Sequence, residues 1–434
     1  MSRTGPMHYS ELNTMRQCPK KHHYAYVEGL QSKAQALNLK RGLWLHSMLE
    51  ADALKRGFAH GTLLEVPSEI NVPGIDEPVT VLGVDRLLVL HSGTDTVEVE
   101  LSWKGMLELL EHHTDYALFP DHVIEERYTE GGQDLPTACR NIMRGYLWQY
   151  RDVLPKRRPL LVEVEWAKTL TGNHPDVEME GRADLVEIDE RGLVCLVDWK
   201  STKSLPGQEF KLMESQRYLY LWGLTERLAA YNYTVHALAF DYLITSTPTV
   251  PKQNKPKKAP KAKSKCSECD GTGEVLPVPE DEEDGENCPA CEGQGRRINL
   301  PTPNELKGEL SVAQVKTTPL VYFETLKELE LEITEHHRER LNELGASNDF
   351  YRRFNMPVNM KALKTVLSET GSAAGMAEHF RANPDAVYRN VDRSCTYMCD
   401  FLPLCMAELY GQDASTIRKR DYEPRHRQAP DGAK

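Results

Sequence analysis

Asp198, Trp199 and Lys200 end the apolar run 193–197 in charge. On a strand alternate side chains share a face, so Asp198 and Lys200 point one way and Trp199 the other. A second carboxylate, Asp184, starts the preceding strand-like segment, and a hairpin of 182–188 with 193–200 sets it beside Asp198. Two carboxylates brought together at the end of an apolar strand repel one another and are costly to desolvate without a cation. Lys200 offsets part of that charge, and a hard divalent cation with oxygen ligands offsets more. Phosphodiester hydrolysis needs the same parts. A divalent ion polarises the phosphate and lowers the pKa of an attacking water, and a cation steadies the developing negative charge.

The sequence has ten cysteines, of which eight fall into patterns with metal-ligand spacing. "CSECDGTG" and "CPACEGQG" are two copies of C-x-x-C-x-G-x-G, carrying Cys266, Cys269, Cys288 and Cys291. Each C-x-x-C makes a knuckle whose glycines permit the tight turns that bring backbone amides to the thiolates, as zinc ligation requires. "SCTYMCDFLPLC" holds Cys395, Cys399 and Cys405, and Cys18 in "RQCPKKHHYAYV" is the other thiol in a comparable terminal setting. In a reducing cytosol such clustered thiols are metal ligands rather than disulfides. Four thiolates suit either tetrahedral zinc or an iron–sulfur cluster; spacing does not separate the two, and on spacing alone zinc is favoured. Cys139 and Cys195 are left as ordinary core or surface thiols.

These residues sit on a recognisable series of elements. Residues 8–56 and the patterns "GMLELLEHH" and "TACRNIMRGYLWQY" read as helix, which makes 1–159 a mostly helical region. From Leu160 the period changes to alternation: "LLVEVEW", "GRADLVEI" and "LVCLVDW" are strands, with a polar turn at 189–192. A helix at about 209–228 and a strand, "VHALAFDYLI", complete a core over 160–250. "PKQNKPKKAPKAKSK", with seven lysines and no acid, is an extended linker into the cysteine module, the two together forming an insert at 251–300 with a solvated acidic loop, "PEDEEDGE". The main domain then resumes over 301–411, with a helix at about 324–344, and 412–434 is a basic tail that is poorly ordered at its end.

Gly181-Arg182-Ala183-Asp184, Asp198-Trp199-Lys200, and Gln216 with Tyr220 four residues later resemble the PD-(D/E)XK nuclease signature in its RecB-like form. That family carries an upstream helix with a metal-binding histidine, matched by Gly42, His46 and Glu50 in "RGLWLHSMLE". The resemblance implies an α/β, restriction-endonuclease-like core: a mixed central sheet flanked by helices, with a helical N-terminal region and an inserted zinc-binding module. It implies Mg²⁺ or Mn²⁺ on His46, Asp184, Asp198 and the Trp199 backbone carbonyl. Asp184, Asp198 and Lys200 would be catalytic, with Lys200 positioning or activating the water, and Gln216 and Tyr220 would stand behind the site near DNA. One cysteine before the core and three after it is similar to the iron–sulfur arrangement of AddB-type and CRISPR-associated exonucleases. This implies a [4Fe-4S] cluster on Cys18, Cys395, Cys399 and Cys405, although three residues lie between Cys395 and Cys399 where the family commonly has two. The zinc module resembles half of the DnaJ cysteine-rich region, where four such copies bind two zinc ions, which implies one zinc ion on Cys266, Cys269, Cys288 and Cys291. His174-Pro175-Asp176 lacks the helical context of a J-domain and reads as coincidence.

The expected activity is a metal-dependent DNA exonuclease acting on single strands or DNA ends in recombination, repair or replication. A catalytically silent DNA-binding subunit of a repair complex and a structure-selective endonuclease are the alternatives. The formal net charge of −12 leaves DNA contacts to local groups, for which Arg182, Lys203, Arg217 and Tyr220 are candidates. Glu163 and Glu165 read as the polar face of their strand and stay outside the expected site. No apolar stretch reaches the roughly 18 residues that span a bilayer, and the first residues lack a secretory signal. The expectation is a cytoplasmic protein of a bacterium or phage-infected cell, with a helicase or recombination partner and no membrane association. Oligomeric state, polarity and strand preference are not written in the sequence.

Overall fold

The computed structural model describes residues 5–33, 37–65, 135–172, 176–256, 303–310, 315–347, 349–396 and 399–425. It also describes the backbone of short strands between 69 and 134 and between 264 and 297. The helix expected at 105–113, the four cysteines of the zinc module and His174-Pro175 lie outside the described residues.

The chain divides into two units, Met1–Ser246 with Phe350–Lys434, and Thr247–Asp349. The first is built on a six-stranded mixed sheet. Its strands are β1 (Met7–His8), β2 (Arg158–Leu170), β3 (Val177–Ile188), β4 (Val194–Thr202), β5 (Ala237–Ile244) and β6 (Tyr351–Pro357). Strand β3 is antiparallel to both β2 and β4 and parallel to β1, and β5 is parallel to β4 and antiparallel to β6. The polar turn after β3 closes through Asp189 and Gly192, whose φ of 83° suits glycine. A parallel pair cannot be joined by a tight turn, so the chain between β4 and β5 crosses over through helices. The single helix expected at 209–228 is two, α4 (Gln208–Met213) and α5 (Gln216–Ala230).

Helices α1 (Tyr9–Gln17), α2 (Leu37–His60) and α3 (Leu135–Gln149) precede α4 and α5 in the chain, and α6 (Met360–Ala382) and α7 (Leu402–Leu409) follow them. One face of the sheet, through Leu185, Val197, Trp199 and Ala239, buries Leu45 and Met48 of α2 and Met143 and Tyr146 of α3. The other, through Val186, Leu196 and Leu238, buries Leu12 of α1, Leu224 of α5 and Ala374 of α6. The sheet is therefore covered on both sides, as an apolar run such as 193–197 requires.

The structure adds to or departs from the sequence expectations in three places. In the N-terminal third, beside its helices, strands Glu69–Ile70, Val79–Val81, Leu87–Ser92 and Asp95–Glu100 form a four-stranded antiparallel sheet that was not expected. "LLVLHS" and "DTVEVE" flank a two-residue Gly-Thr connection, a hairpin signature that the helical patterns on either side obscured. The second unit runs from Thr247 to Asp349, beyond the 251–300 insert, so 301–349 does not return to the first unit. Its helices Pro319–Glu328 and Glu335–Ser347 share a small core of Leu310, Tyr322, Leu326, Leu331 and Leu344, and Asn254, inside the supposed linker, bonds Glu309. The tail is ordered further than its composition suggests, with a helix at Ser415–Asp421 and a strand Tyr422–Pro424 paired to Leu30–Ser32. Among the described residues no helix is long and apolar enough to cross a membrane.

Trp166 of β2 is 6 % exposed and lies against two glycines, Gly181 of β3 and Gly223 of α5. A Cβ at Gly181 would come 2.9 Å from the ring, and one at Gly223 would overlap it. Alanine normally stabilises a helix interior by up to about 1 kcal/mol over glycine. At Gly223 the overlap outweighs that gain, because the ring has no room to retreat. Gly223→Ala is expected to cost about 1–3 kcal/mol in urea unfolding. Gly345→Ala, in a helix where nothing lies within 4 Å of the new methyl, is expected to be neutral or stabilising.

Candidate active site

The hairpin of β3 and β4 pairs Leu185 with Val197, and by that register Asp184 stands opposite Asp198. The Trp199 amide donates to Asp184 Oδ2 at 2.6 Å, fixing the carboxylate against the end of β4. Helix α2 crosses the same edge. Its His46 Nε2 lies 3.1 Å from the Trp199 carbonyl oxygen and its Nδ1 lies 3.9 Å from Asp184 Oδ1. On the far side Lys200 Nζ is 2.7 Å from Asp198 Oδ2 and donates to Gln216 Oε1 at 2.8 Å, and the Gln216 amide donates in turn to the Tyr220 hydroxyl. Strand, hairpin, crossover helix and N-terminal helix thus each deliver one part.

Glu163 joins them, although its sequence gave no reason to separate it from Glu165. Residue 165 is exposed, as a polar face should be, whereas the Glu163 side chain is 6 % exposed. Glu163 falls between the pairs Val162–Leu185 and Val164–Ala183, opposite Asp184, with a φ of 47°. A left-handed backbone at a non-glycine residue inside a strand is strained, and such strain gathers at functional sites. Among the described residues His46, Glu163 and Asp184 each bring one ligand atom to within 4.8 Å of the others. Asp198 stands beside this group but is turned to Lys200.

Burial and the facing Asp184 push the Asp198 carboxyl up to about 6 even though Lys200 pulls the other way. Burial lifts Glu50, one turn beyond His46, to about 7, with Asp184 adding to the rise and Arg182 opposing it. For Lys200 burial would favour the neutral amine, but Asp198, Glu214 and Asp184 outweigh it and hold the ammonium above the usual lysine value. Lys200 is therefore a fixed positive charge in this arrangement, suited to an anionic phosphate rather than to accepting a proton. Arg182, 2.7 Å from Glu163 Oε2, spends its charge within the cluster.

Oxygen donors with one imidazole suit Mg²⁺ or Mn²⁺. At a Mg–ligand distance of about 2.1 Å, adjacent octahedral ligands lie about 3 Å apart, and His46 Nε2 and the Trp199 oxygen meet that spacing. The residues present fit such an ion.

A profile of the PD-(D/E)XK nuclease superfamily matches residues 7–406. The chain belongs to that superfamily. Its mixed sheet flanked by helices is consistent with the superfamily's fold, and membership makes it a nuclease acting on nucleic acid. No curated protein matches the chain.

Two of the expected DNA-contacting groups change role in this nuclease. Arg217 is 0 % exposed, its guanidinium 3.7 Å from the Phe240 ring centre, and is sealed from any ligand. Tyr220, 7 % exposed, braces Gln216 and hence Lys200. Lys203 is exposed at the end of the catalytic strand.

The terminal cysteines lie at one end of the same unit. Cys18 follows α1, Cys395 sits in a short 3₁₀ turn, Cys399 precedes α7 and Cys405 lies within it; all four are partly buried, unpaired thiols. Burial raises the Cys399 thiol and Lys21 lowers it, with Cys395 and Cys18 acting on it as like charges. Cys395 Sγ lies 3.9 Å from the carbonyl of Asn390, whose side chain bonds Gln17 beside Cys18, and Cys399 and Cys405 pack against one small core. Cys405 accepts from Arg389 Nε at 3.3 Å.

The folded protein holds the Asp198 proton more tightly than the unfolded chain does. This group's contribution to stability is therefore full below about pH 4 and is lost as pH rises through about 6. At pH 7.5 the metal-free protein carries the cost, so raising the pH from 5 to 7.5 is expected to lower the unfolding midpoint of wild type more than that of Asp198→Asn. Differential scanning fluorimetry without metal checks this. Added Mg²⁺ should raise the midpoint of wild type more than that of the variant.

Proposed function

We propose that this nuclease is a Mg²⁺- or Mn²⁺-dependent deoxyribonuclease that works as an exonuclease on single strands or DNA ends. The observation that carries the reading is the convergence of His46, Glu163 and Asp184 on one another, with His46 also at the Trp199 carbonyl and the Lys200 ammonium on the adjacent Asp198. His46, Glu163, Asp184, Asp198 and the Trp199 carbonyl are the metal ligands in this reading. The bound ion supplies a Lewis acid at the phosphate and a more acidic water. Lys200, restrained between Asp198 and Gln216, orients the phosphate and offsets the charge that grows on it. Asp184 is held by the Trp199 amide, so its second oxygen keeps a fixed direction.

The exonuclease assignment rests on the placing of one cysteine before the core and three after it, similar to the iron–sulfur exonuclease branch. In this reading Cys18, Cys395, Cys399 and Cys405 hold a [4Fe-4S] cluster that ties the two ends of the unit together. Cys266, Cys269, Cys288 and Cys291 hold one zinc ion. Support comes from the short ladders 264–265 with 296–297 and 274–275 with 286–287, whose strands flank the two C-x-x-C segments along the chain. Unpaired thiols suit a reducing cytoplasm, with a helicase or recombination protein as partner.

End-labelled and circular DNA, incubated with Mg²⁺ or Mn²⁺, test the activity. Wild type is expected to shorten linear DNA and spare circles. Lys200→Ala is expected to lose about 10²–10³-fold in rate, and Asp198→Ala to fall to background. Glu163→Gln should raise the Mg²⁺ needed for half-maximal rate by at least about tenfold. Full activity in both Lys200→Ala and Asp198→Ala would sink the catalytic assignment, inactivity of wild type on all DNA would favour a silent binding subunit, and cutting of circles would make it an endonuclease. Anaerobic protein should be brown, with iron, sulfide and one zinc per chain; a colourless preparation with two zinc ions would replace the cluster by a second zinc site.

A further inference from the structure

The segment 388–390 is stitched to both sides of Cys18. The Tyr388 carbonyl accepts from the Lys20 amide at 3.1 Å, and Asn390 Nδ2 donates to the Gln17 carbonyl at 2.7 Å. Arg389, between these two anchors, therefore has little freedom to swing away. Its Nε donates to Cys405 Sγ at 3.3 Å, and it also faces Tyr24 and Glu408. Glu408 is already engaged by Lys20 at 2.9 Å, by Arg418 at 2.7 Å and by the Tyr24 hydroxyl at 2.6 Å, so it does not claim the Arg389 charge for itself. A charge-assisted N–H···S bond is thus held on one thiol of the four.

We propose that Arg389 is a positioning residue that tunes the iron–sulfur cluster, stabilising its reduced form through the Cys405 sulfur. The inference rests on the cluster reading above. Four thiolates leave such a cluster negative, and reduction adds another negative charge. Hydrogen bonds to the sulfurs and nearby charge set the potential of these centres. A fixed guanidinium on Cys405 lowers the cost of the added electron, whereas an alanine there leaves the sulfur to water.

The test is a dithionite titration of the anaerobically purified full chain, followed by electron paramagnetic resonance. Arg389→Ala is expected to shift the reduction equilibrium about tenfold towards the oxidised cluster, about 59 mV to more negative potential for one electron. Arg389→Lys should recover at least half of that shift. Asn390→Ala breaks the brace to Gln17 but keeps the cation, and it should stay within the error of wild type. If Arg389→Ala loses its cluster, Arg389→Gln carries the same expected shift, because it keeps N–H donors without the charge. An unchanged potential in Arg389→Ala or Arg389→Gln overturns the proposal, as does an equal shift in Asn390→Ala, which would make the brace the cause. Wild type without iron and sulfide would instead overturn the cluster reading itself, and this inference with it.

Discussion

A carboxylate that is 1 % exposed and faces a second one across a hairpin needs compensation from every direction that the fold can offer. Lys200 lies two residues further along the same strand and is therefore on the same face, which makes it the nearest source of positive charge. A lysine stem is flexible, however, and its charge balances Asp198 only if something restrains it. That restraint comes from Gln216 in the first turn of α5, steadied by Tyr220 one turn on. The crossover between β4 and β5 is what delivers α5 to this edge, since parallel strands cannot be joined directly. Topology and electrostatics here are one requirement rather than two.

The compensation is incomplete. Asp198 still holds its proton to about pH 6, Glu50 to about 7, and Glu163 keeps a left-handed backbone within a strand. A fold optimised for stability would replace these with apolar or neutral groups, which often cost nothing or stabilise. The metal ion proposed above would account for their presence together, because it would relieve repulsion among Asp184, Asp198 and Glu163 at a stroke. Arg182 and Lys200 then set how much negative charge is left for it, and they are placed on opposite sides, one at Glu163 and one at Asp198.

Much of this was legible in the sequence because it is local or periodic. Asp184 opposite Asp198 follows from the two-residue alternation of two strands and a four-residue turn, and Gln216 above Tyr220 from helical spacing. Glu163 was not legible, since its alternation is identical to that of Glu165 and the difference lies in a backbone irregularity with no sequence marker. Arg217 misled for a related reason: an arginine beside the motif glutamine Gln216 reads as a phosphate contact, and only the tertiary packing on Phe240 shows it sealed. The sheet of residues 69–100 was hidden by helical neighbours, and the reach of the second unit to Asp349 depends on which apolar residues meet. Composition does not record that.

The ends of the first unit bear on how a cluster acts. Closing a loop from Cys18 to Cys395 would be expected to constrain the unfolded chain strongly, since long loops cost the most entropy to close. The same ends are also joined by protein contacts. Leu30–Ser32 pairs with Tyr422–Pro424, Tyr24 bonds Glu408, and Tyr24, Phe401, Leu404 and Tyr422 form a core of their own, separate from the two clusters that cover the sheet. These contacts offset part of the closure entropy themselves. A cluster at this place would chiefly fix a small, independently packed module and set its charge, while the hairpin that carries Asp184 and Asp198 draws its rigidity from the sheet and the helices packed on it.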